Sequence, residues 1–161
     1  MIIGVISDTH LRAGQFLPVR VWEELSKVDL IIHAGDIIRP DLLTDLSALA
    51  PVEAVRGNCD GWELDKLPEQ KIVICGGKRI GLIHGAYGPG KTTPERAFRA
   101  FDKNEIDIII FGHSHIPYSQ WHDGILLFNP GSPTDKRRQL KYSMGLLEID
   151  DHEIKARHLY F

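Results

Sequence analysis

Five apolar, strand-like runs in this chain each end in a small group of polar residues able to bind metal, and that recurrence constrains the fold more than any other feature. Residues 2–7 lead into Asp8-Thr9-His10, and residues 29–33 lead through Ala34-Gly35 to Asp36. Residues 52–56 run into Gly57-Asn58-Cys59-Asp60. Residues 79–84 close on His84 before Gly85, and residues 107–111 open onto Gly112-His113-Ser114-His115. Ligands of open α/β sheets bind beyond the carboxyl ends of the strands, so five such ends can converge on one edge. Fully apolar strands separated by helices imply a parallel sheet covered on both faces.

The rest of the chain fits that frame. Residues 19–27 form an expected helix that buries Val21, Trp22 and Leu25, and residues 40–50 form another with Pro40 suited to a first turn. Residues 71–75 and 79–84, joined by Gly76-Gly77-Lys78, read as a hairpin. Residues 93–104 are helical in pattern, with Ala97, Phe98 and Phe101 on one side. The last third is β-rich. Residues 117–122 and 125–129 flank the turn Asp123-Gly124, and residues 142–149 and 153–160 flank a turn at Asp150-Asp151. With no repeat, low-complexity stretch or linker, the expectation is one domain over residues 1–161, built as an α/β fold of two packed, mostly parallel or mixed sheets with helices outside.

Composition narrows the function. At 161 residues the chain can bury roughly 70% of its unfolded surface, and 43% hydrophobic with 25% charged residues is globular. No apolar run is long enough for a bilayer, and the N-terminus shows no secretory leader. A net charge of −3 lacks the basic footprint of a protein that grips an extended nucleic acid. Cys59 and Cys75 are too few and too far apart for a thiolate zinc site, and free thiols place the protein in the cytoplasm.

Asp8-x-His10 and His113-x-His115 have alternate spacing, which lets two side chains reach one centre. Glycines beside Asp36, Asn58, His84 and His113 permit tight turns and close backbone approach. A mixed oxygen and imidazole shell favours manganese, iron, nickel or zinc over calcium. Seven candidate ligands, Asp8, His10, Asp36, Asn58, His84, His113 and His115, are too many for one such ion. Two ions sharing a bridging carboxylate are the economical reading. His33 reads as a packing or supporting residue, and His122, His152 and His158 as surface or sheet residues.

In this order the motifs D-x-H, G-D, G-N-C-D, H-G and G-H-x-H resemble the calcineurin-like metallophosphoesterases. Within them the chain is similar to the small bacterial and archaeal YfcE-like phosphodiesterases, relatives of the retromer subunit of vacuolar sorting. The likeness runs from Met1 to about Ile149 and takes in Pro68-Glu69-Gln70-Lys71 and the turn Asn129-Pro130-Gly131-Ser132. It implies a four-layer αββα sandwich and a phosphodiesterase with two divalent ions, manganese first among them. By that resemblance Asp8, His10 and His115 hold one ion, Asn58, His84 and His113 the other, and Asp36 bridges. A bridging hydroxide then attacks phosphorus in line, and Asp36, Asn58 and His113 are the catalytic candidates. The substrate implied is a small phosphoester, and a homo-oligomer, dimer or tetramer, is compatible with the family.

Two departures stand out. Many members carry a histidine after Gly-Asn to protonate the leaving oxygen, where this chain has Cys59. Others read H-G-H where it has Ala86. Arg56, Lys91 and Cys59 are expected substrate contacts, with Arg96, Arg137 and Arg138 further basic candidates. Two rival readings remain. One is a non-catalytic, metal-binding interaction scaffold like the retromer relative. The other is a nucleotide-binding P-loop, because Gly85-Ala86-Tyr87-Gly88-Pro89-Gly90-Lys91-Thr92 fits G-x-x-x-x-G-K-[ST].

Overall fold

A computed structural model describes residues 1–150 and 153–161. Asp151, part of the expected turn at Asp150-Asp151, and His152 lie outside the described residues. Among the described residues, ten strands and three α-helices are formed: β1 (Ile2–Ile6), α1 (Val19–Leu25), β2 (Leu30–His33), α2 (Asp41–Ser47), β3 (Val52–Ala54), β4 (Gln70–Cys75), β5 (Lys78–Ile83), α3 (Thr93–Arg99), β6 (Ile108–Ile110), β7 (Tyr118–His122), β8 (Ile125–Asn129), β9 (Ser143–Ile149) and β10 (Ile154–Tyr160).

They make two five-stranded mixed sheets, ordered β10-β9-β1-β2-β3 and β4-β5-β6-β8-β7. Within the first, β1, β2 and β3 run parallel; within the second, β5, β6 and β8 do. Antiparallel hairpin strands extend the sheets, β9 and β10 beside β1, β4 beside β5 and β7 beside β8. Side-chain alternation then builds the layers. Ile3, Val5, Ile32 and Leu147 of the first sheet pack on Ile80, Ile108, Ile110 and Phe128 of the second. On the outer face of the first sheet, Ile6, Ile31 and Leu146 meet Val21 and Leu25 of α1 and Leu42 and Leu46 of α2. Ile109 and Leu127 meet Ala97 of α3 outside the second. The order helix, sheet, sheet, helix is the expected four-layer sandwich. Among the described residues no helix is long and apolar enough to cross a membrane.

Three helices are shorter than their patterns. The first ends at Leu25 rather than Lys27, and Trp22 is only half buried beside the core. In the second, Pro40 caps and the last turn tightens, with Ala48 N donating to Asp45 O at 3.3 Å, so the helix stops at Ser47. The third breaks after Arg99 because Asp102 accepts from Asn104 N and starts a separate 3₁₀ turn over Lys103–Glu105. Gly76 and Gly77, at φ 55° and 73°, form a two-residue hairpin turn in which Lys78 already belongs to the strand.

Candidate metal centre

The parallel strands of both sheets end on one side of the sandwich, and the polar groups that follow them meet there. Asp8 N donates to Gly35 O and His10 N to Asp36 O, each at 3.0 Å, which stitches the loop after β1 to the loop after β2. Asp8, His10, Asp36, His113 and His115 all hold left-handed backbone, with φ between 44° and 66°. Such angles are unusual for non-glycine residues and concentrate at functional sites. They turn the chain sharply at alternate residues, so the two side chains of each x-separated pair converge.

One group consists of Asp8, His10 and His115. His10 Nε2 and His115 Nε2 are 3.3 Å apart, and Asp8 Oδ1 is 3.4 Å from His115 Nε2 and 3.9 Å from His10 Nε2. A second group contains His84, Asn58 and His113, with His113 Nδ1 3.1 Å from Asn58 Oδ1 and the two imidazoles edge-to-face at 5.3 Å. Asp36 stands between them, its Oδ2 3.4 Å from His10 Nε2 and 3.3 Å from His84 Nε2. Neighbouring ligands around an ion at roughly 2.1 Å lie about 3 Å apart, close to these spacings. Asp8, His10 and His115 offer donor atoms within 4.8 Å of one another, as do Asp8, Asp36 and His84, and His10, Asp36 and Cys59.

Proton positions test whether cations fit. His84 Nδ1 donates to Ala34 O at 2.8 Å, so in the neutral ring its buried Nε2 carries a lone pair, and that nitrogen has no hydrogen-bond partner. It faces the ionised Asp36 carboxylate at 3.3 Å, which can only accept. His115 repeats the pattern, with Nδ1 bonded to Asp135 O at 2.5 Å and Nε2 turned toward Asp8. Acceptors aimed at acceptors call for a proton or a metal ion between them, and a backbone carbonyl orienting the far nitrogen is the usual support of a metal-bound histidine. Oxygen and imidazole donors without a required thiolate suit borderline divalent ions.

Burial and neighbouring charge set the protonation of each group. Burial depresses His10, His113 and His115 below the ordinary histidine range, keeping them neutral near pH 7. Burial pushes the Asp8 carboxyl up to about 7. Burial also works against the charge on Asp36, but His84 and the Cys59 N–H, which donates to Oδ1 at 2.8 Å, hold this carboxyl well below its usual range. For His84 burial opposes protonation, but Asp36 and Asp8 outweigh it and raise the imidazole. His33 has the expected supporting role: fully buried, with Nε2 3.0 Å from Thr9 Oγ1, it is driven by burial down to about 3 and stays neutral.

Supporting residues without an expected role complete the site. The Asp60 carboxylate accepts the backbone N–H groups of Asp36, Ile37, Ile38 and Gly57 at 2.7–3.0 Å. Ser132 Oγ donates to Asp8 O at 2.8 Å, and Asn129 Nδ2 to Gly112 O at 2.8 Å. Gly57 and Gly112 lie so close to Asp36 and to Ser7 that a Cβ at either would collide.

The expected substrate contacts divide. Arg56 lines a recess beside Asn58 and His84, where its Nη1 pairs with Asp65 at 2.8 Å. Cys59 lines a second recess beside His10, its thiol pushed up to about 11 by partial burial and by Asp36. Lys91 lines neither; its backbone N–H donates to Glu95, and Arg96 takes the place at the wall. The P-loop pattern is used differently here, since Thr92 Oγ1 caps α3 by accepting from Glu95 N at 3.3 Å. His158 is half buried against Phe128 and donates to Asn129 O at 2.7 Å, and His122 is exposed.

Comparison with known proteins agrees with this geometry. A probable metallophosphoesterase of Methanothermobacter thermautotrophicus is 39% identical over 158 residues, covering 97% of this chain and 90% of the relative. Phosphodiesterase YfcE of Escherichia coli K12 is 32% identical over 108 residues, covering 62% of this chain and 53% of that protein. The crystal structure of a Vps29 single mutant from Entamoeba histolytica superposes with a TM-score of 0.79 at 25% identity, covering 100% and 99% of the two chains. The model of the calcineurin-like phosphoesterase superfamily domain matches residues 1–152, and the chain belongs to that superfamily.

Proposed function

We propose that this protein is a divalent-metal-dependent phosphodiesterase with two ions per chain. Asp8, His10 and His115 would hold one ion and Asn58, His84 and His113 the other, with Asp36 shared. One observation carries the reading: Asp36 Oδ2 is within 3.4 Å of His10 Nε2 and within 3.3 Å of His84 Nε2, so a single carboxylate reaches both groups. Family membership supports phosphoester hydrolysis, and the likeness to YfcE supports the diester.

When bound, two such ions neutralise phosphoryl oxygens and acidify an attacking water. The chain's own part is positioning and charge. Asp36 stays ionised through its Cys59 and His84 contacts, while neutral His10, His113 and His115 present lone pairs. Asn58 and His113, more open to solvent than Asp8, His84 and His115, face the incoming phosphoryl group. Manganese is the ion proposed, with nickel, zinc and iron as competitors for the same donors. A cytoplasmic setting, supported by the free thiols Cys59 and Cys75, a single functional unit over residues 1–161 and homo-oligomeric assembly belong to the same reading.

The test is a panel of phosphodiesters and phosphomonoesters on metal-stripped protein, with manganese, nickel, zinc or magnesium restored. Metal-dependent turnover favouring diesters is expected; metal-independent turnover would refute the proposal. The likeness to Vps29 favours one second reading, a metal-binding interaction scaffold. Tight manganese binding with no turnover of any phosphoester would select it.

A further inference from the structure

Two recesses open onto the metal centre and share no lining residue. One, of about 490 Å³, meets it at Asn58 and His84 and carries Arg56, Arg96 and Tyr87. The other, of about 950 Å³, meets it at His10 and carries Arg12, Arg137 and Phe16. Both volumes are those of small-molecule sites. A phosphomonoester has one substituent to place. A diester has two on the same phosphorus, and two separate recesses at one centre answer that need.

The walls say what the substituents are. Each recess combines guanidinium groups with an aromatic ring held out to solvent, Tyr87 at 78% and Phe16 at 71% exposed. Arg96 is fixed at its wall, with Nε donating to Gly85 O at 2.9 Å and Nη2 to Thr93 Oγ1 at 3.1 Å. Arg137 is fixed through Nε to Asp135 Oδ2 at 3.1 Å. Acyl chains would need a continuous apolar lining, which two arginines per recess interrupt. Rings that stack on bases, beside cations that bond sugar and phosphate oxygens, are the chemistry of nucleotide binding.

We propose that the two recesses hold the two nucleoside substituents of one phosphodiester, so that short dinucleotide-type diesters are the substrate class. The proposal rests on the phosphodiesterase reading above. In the hydrolysis, a phosphorus–oxygen bond to one nucleoside breaks and the oxygen of water bonds to phosphorus. One proton of that water leaves with the departing nucleoside alcohol, and a nucleoside monophosphate remains.

Tyr87→Ala and Arg12→Ala, one in each recess and both at exposed positions, test it in the manganese-loaded full chain. The substrates are dithymidine monophosphate, glycerophosphocholine and 4-nitrophenyl phosphate. Each variant should lower the ratio of kcat/KM for the dinucleotide over the monoester by at least ~10-fold, through a lost base stack at Tyr87 and a lost charged contact to sugar or phosphate oxygen at Arg12. Calorimetric titration with phosphorothioate-linked dithymidine should show a similar loss of affinity in each variant. Unchanged ratios, or glycerophosphocholine turned over faster than the dinucleotide, overturn the proposal. Should the wild-type chain hydrolyse no phosphoester, the phosphodiesterase reading fails by itself. Calorimetry then still decides: dinucleotide binding weakened by both substitutions supports the recess assignment, and absence of binding ends it.

Discussion

Asp60 Oδ2 accepts the backbone N–H of Asp36 at 3.0 Å, so one carboxylate sets the height of another. The same side chain takes the N–H groups of Ile37, Ile38 and Gly57, locking the loop after β2 to the loop after β3. Replacing it with alanine leaves those donors unpaired in a site where Asp60 is 5% exposed. Asp60→Ala should therefore cost at least ~3 kcal/mol of stability. It should also weaken manganese binding, whereas Asp60→Asn, which keeps an acceptor oxygen, should recover part of both. Thermal melts together with metal titrations check this; a loss of stability with metal affinity intact would show that Asp60 acts on the fold alone.

Asp36→Asn tests the shared position. The amide keeps the shape but loses the charge that faces His10 and His84. We expect diester turnover to fall by at least ~100-fold, since in the proposed two-ion centre both ions would depend on this group. Elemental analysis should show fewer than two manganese ions per chain. Full metal occupancy with full activity would remove Asp36 from the bridging role.

The pH dependence of metal binding follows from Asp8. Its carboxyl, lifted to about 7 by burial, holds a proton in the metal-free protein below that pH, and a cation must displace it. Apparent manganese affinity should rise with pH through about 7, falling below it by up to ~10-fold per unit, and the raised imidazole of His84 adds a second proton for the cation to displace. The three depressed histidines contribute only in more acid solution. Metal-free stability carries the opposite sign from this group. A folded pKa above the ordinary 3.8 means that the native state binds more protons between those values, so this contribution is lost as pH rises toward 7. Asp8→Asn lacks that loss, and its melting temperature relative to wild type should climb between pH 5.5 and 7.5.

Leaving-group dependence follows from Cys59. A thiol pushed up to about 11 is a weak proton donor to an alkoxide near neutral pH. Aryl diesters, which leave without help, should be cleaved far faster than alkyl diesters, and Cys59→His should narrow that gap by ~100-fold, the lower end of the usual scale of general acid catalysis. Equal rates for nitrophenyl and alkyl diesters in the wild type would contradict the assignment.

The parallel strands β1, β2 and β6 were legible in the sequence because their apolar runs are short and uninterrupted, and the seven ligand candidates because they follow the ends of such strand-like runs. Helix ends were less so. Phe101 continues the apolar side of α3, but Asp102 accepts from Asn104 N and starts a separate turn there. Asp60 was visible in Gly-Asn-Cys-Asp, yet three of its four partners are backbone donors more than twenty positions away at residues 36–38, which no side-chain pattern encodes. Lys91 drew attention through a glycine-rich motif. Arg96, on the first turns of α3 and folded back onto Gly85 O, is the cation at the wall.

The left-handed turns at Asp8, His10, Asp36, His113 and His115 have a consequence for protein engineering. Grafting those side chains onto regular strands or helices of another scaffold would aim them apart, because the convergence is written in the main chain. A transplant would have to carry whole loops, with the glycines and buried carboxylate that brace them.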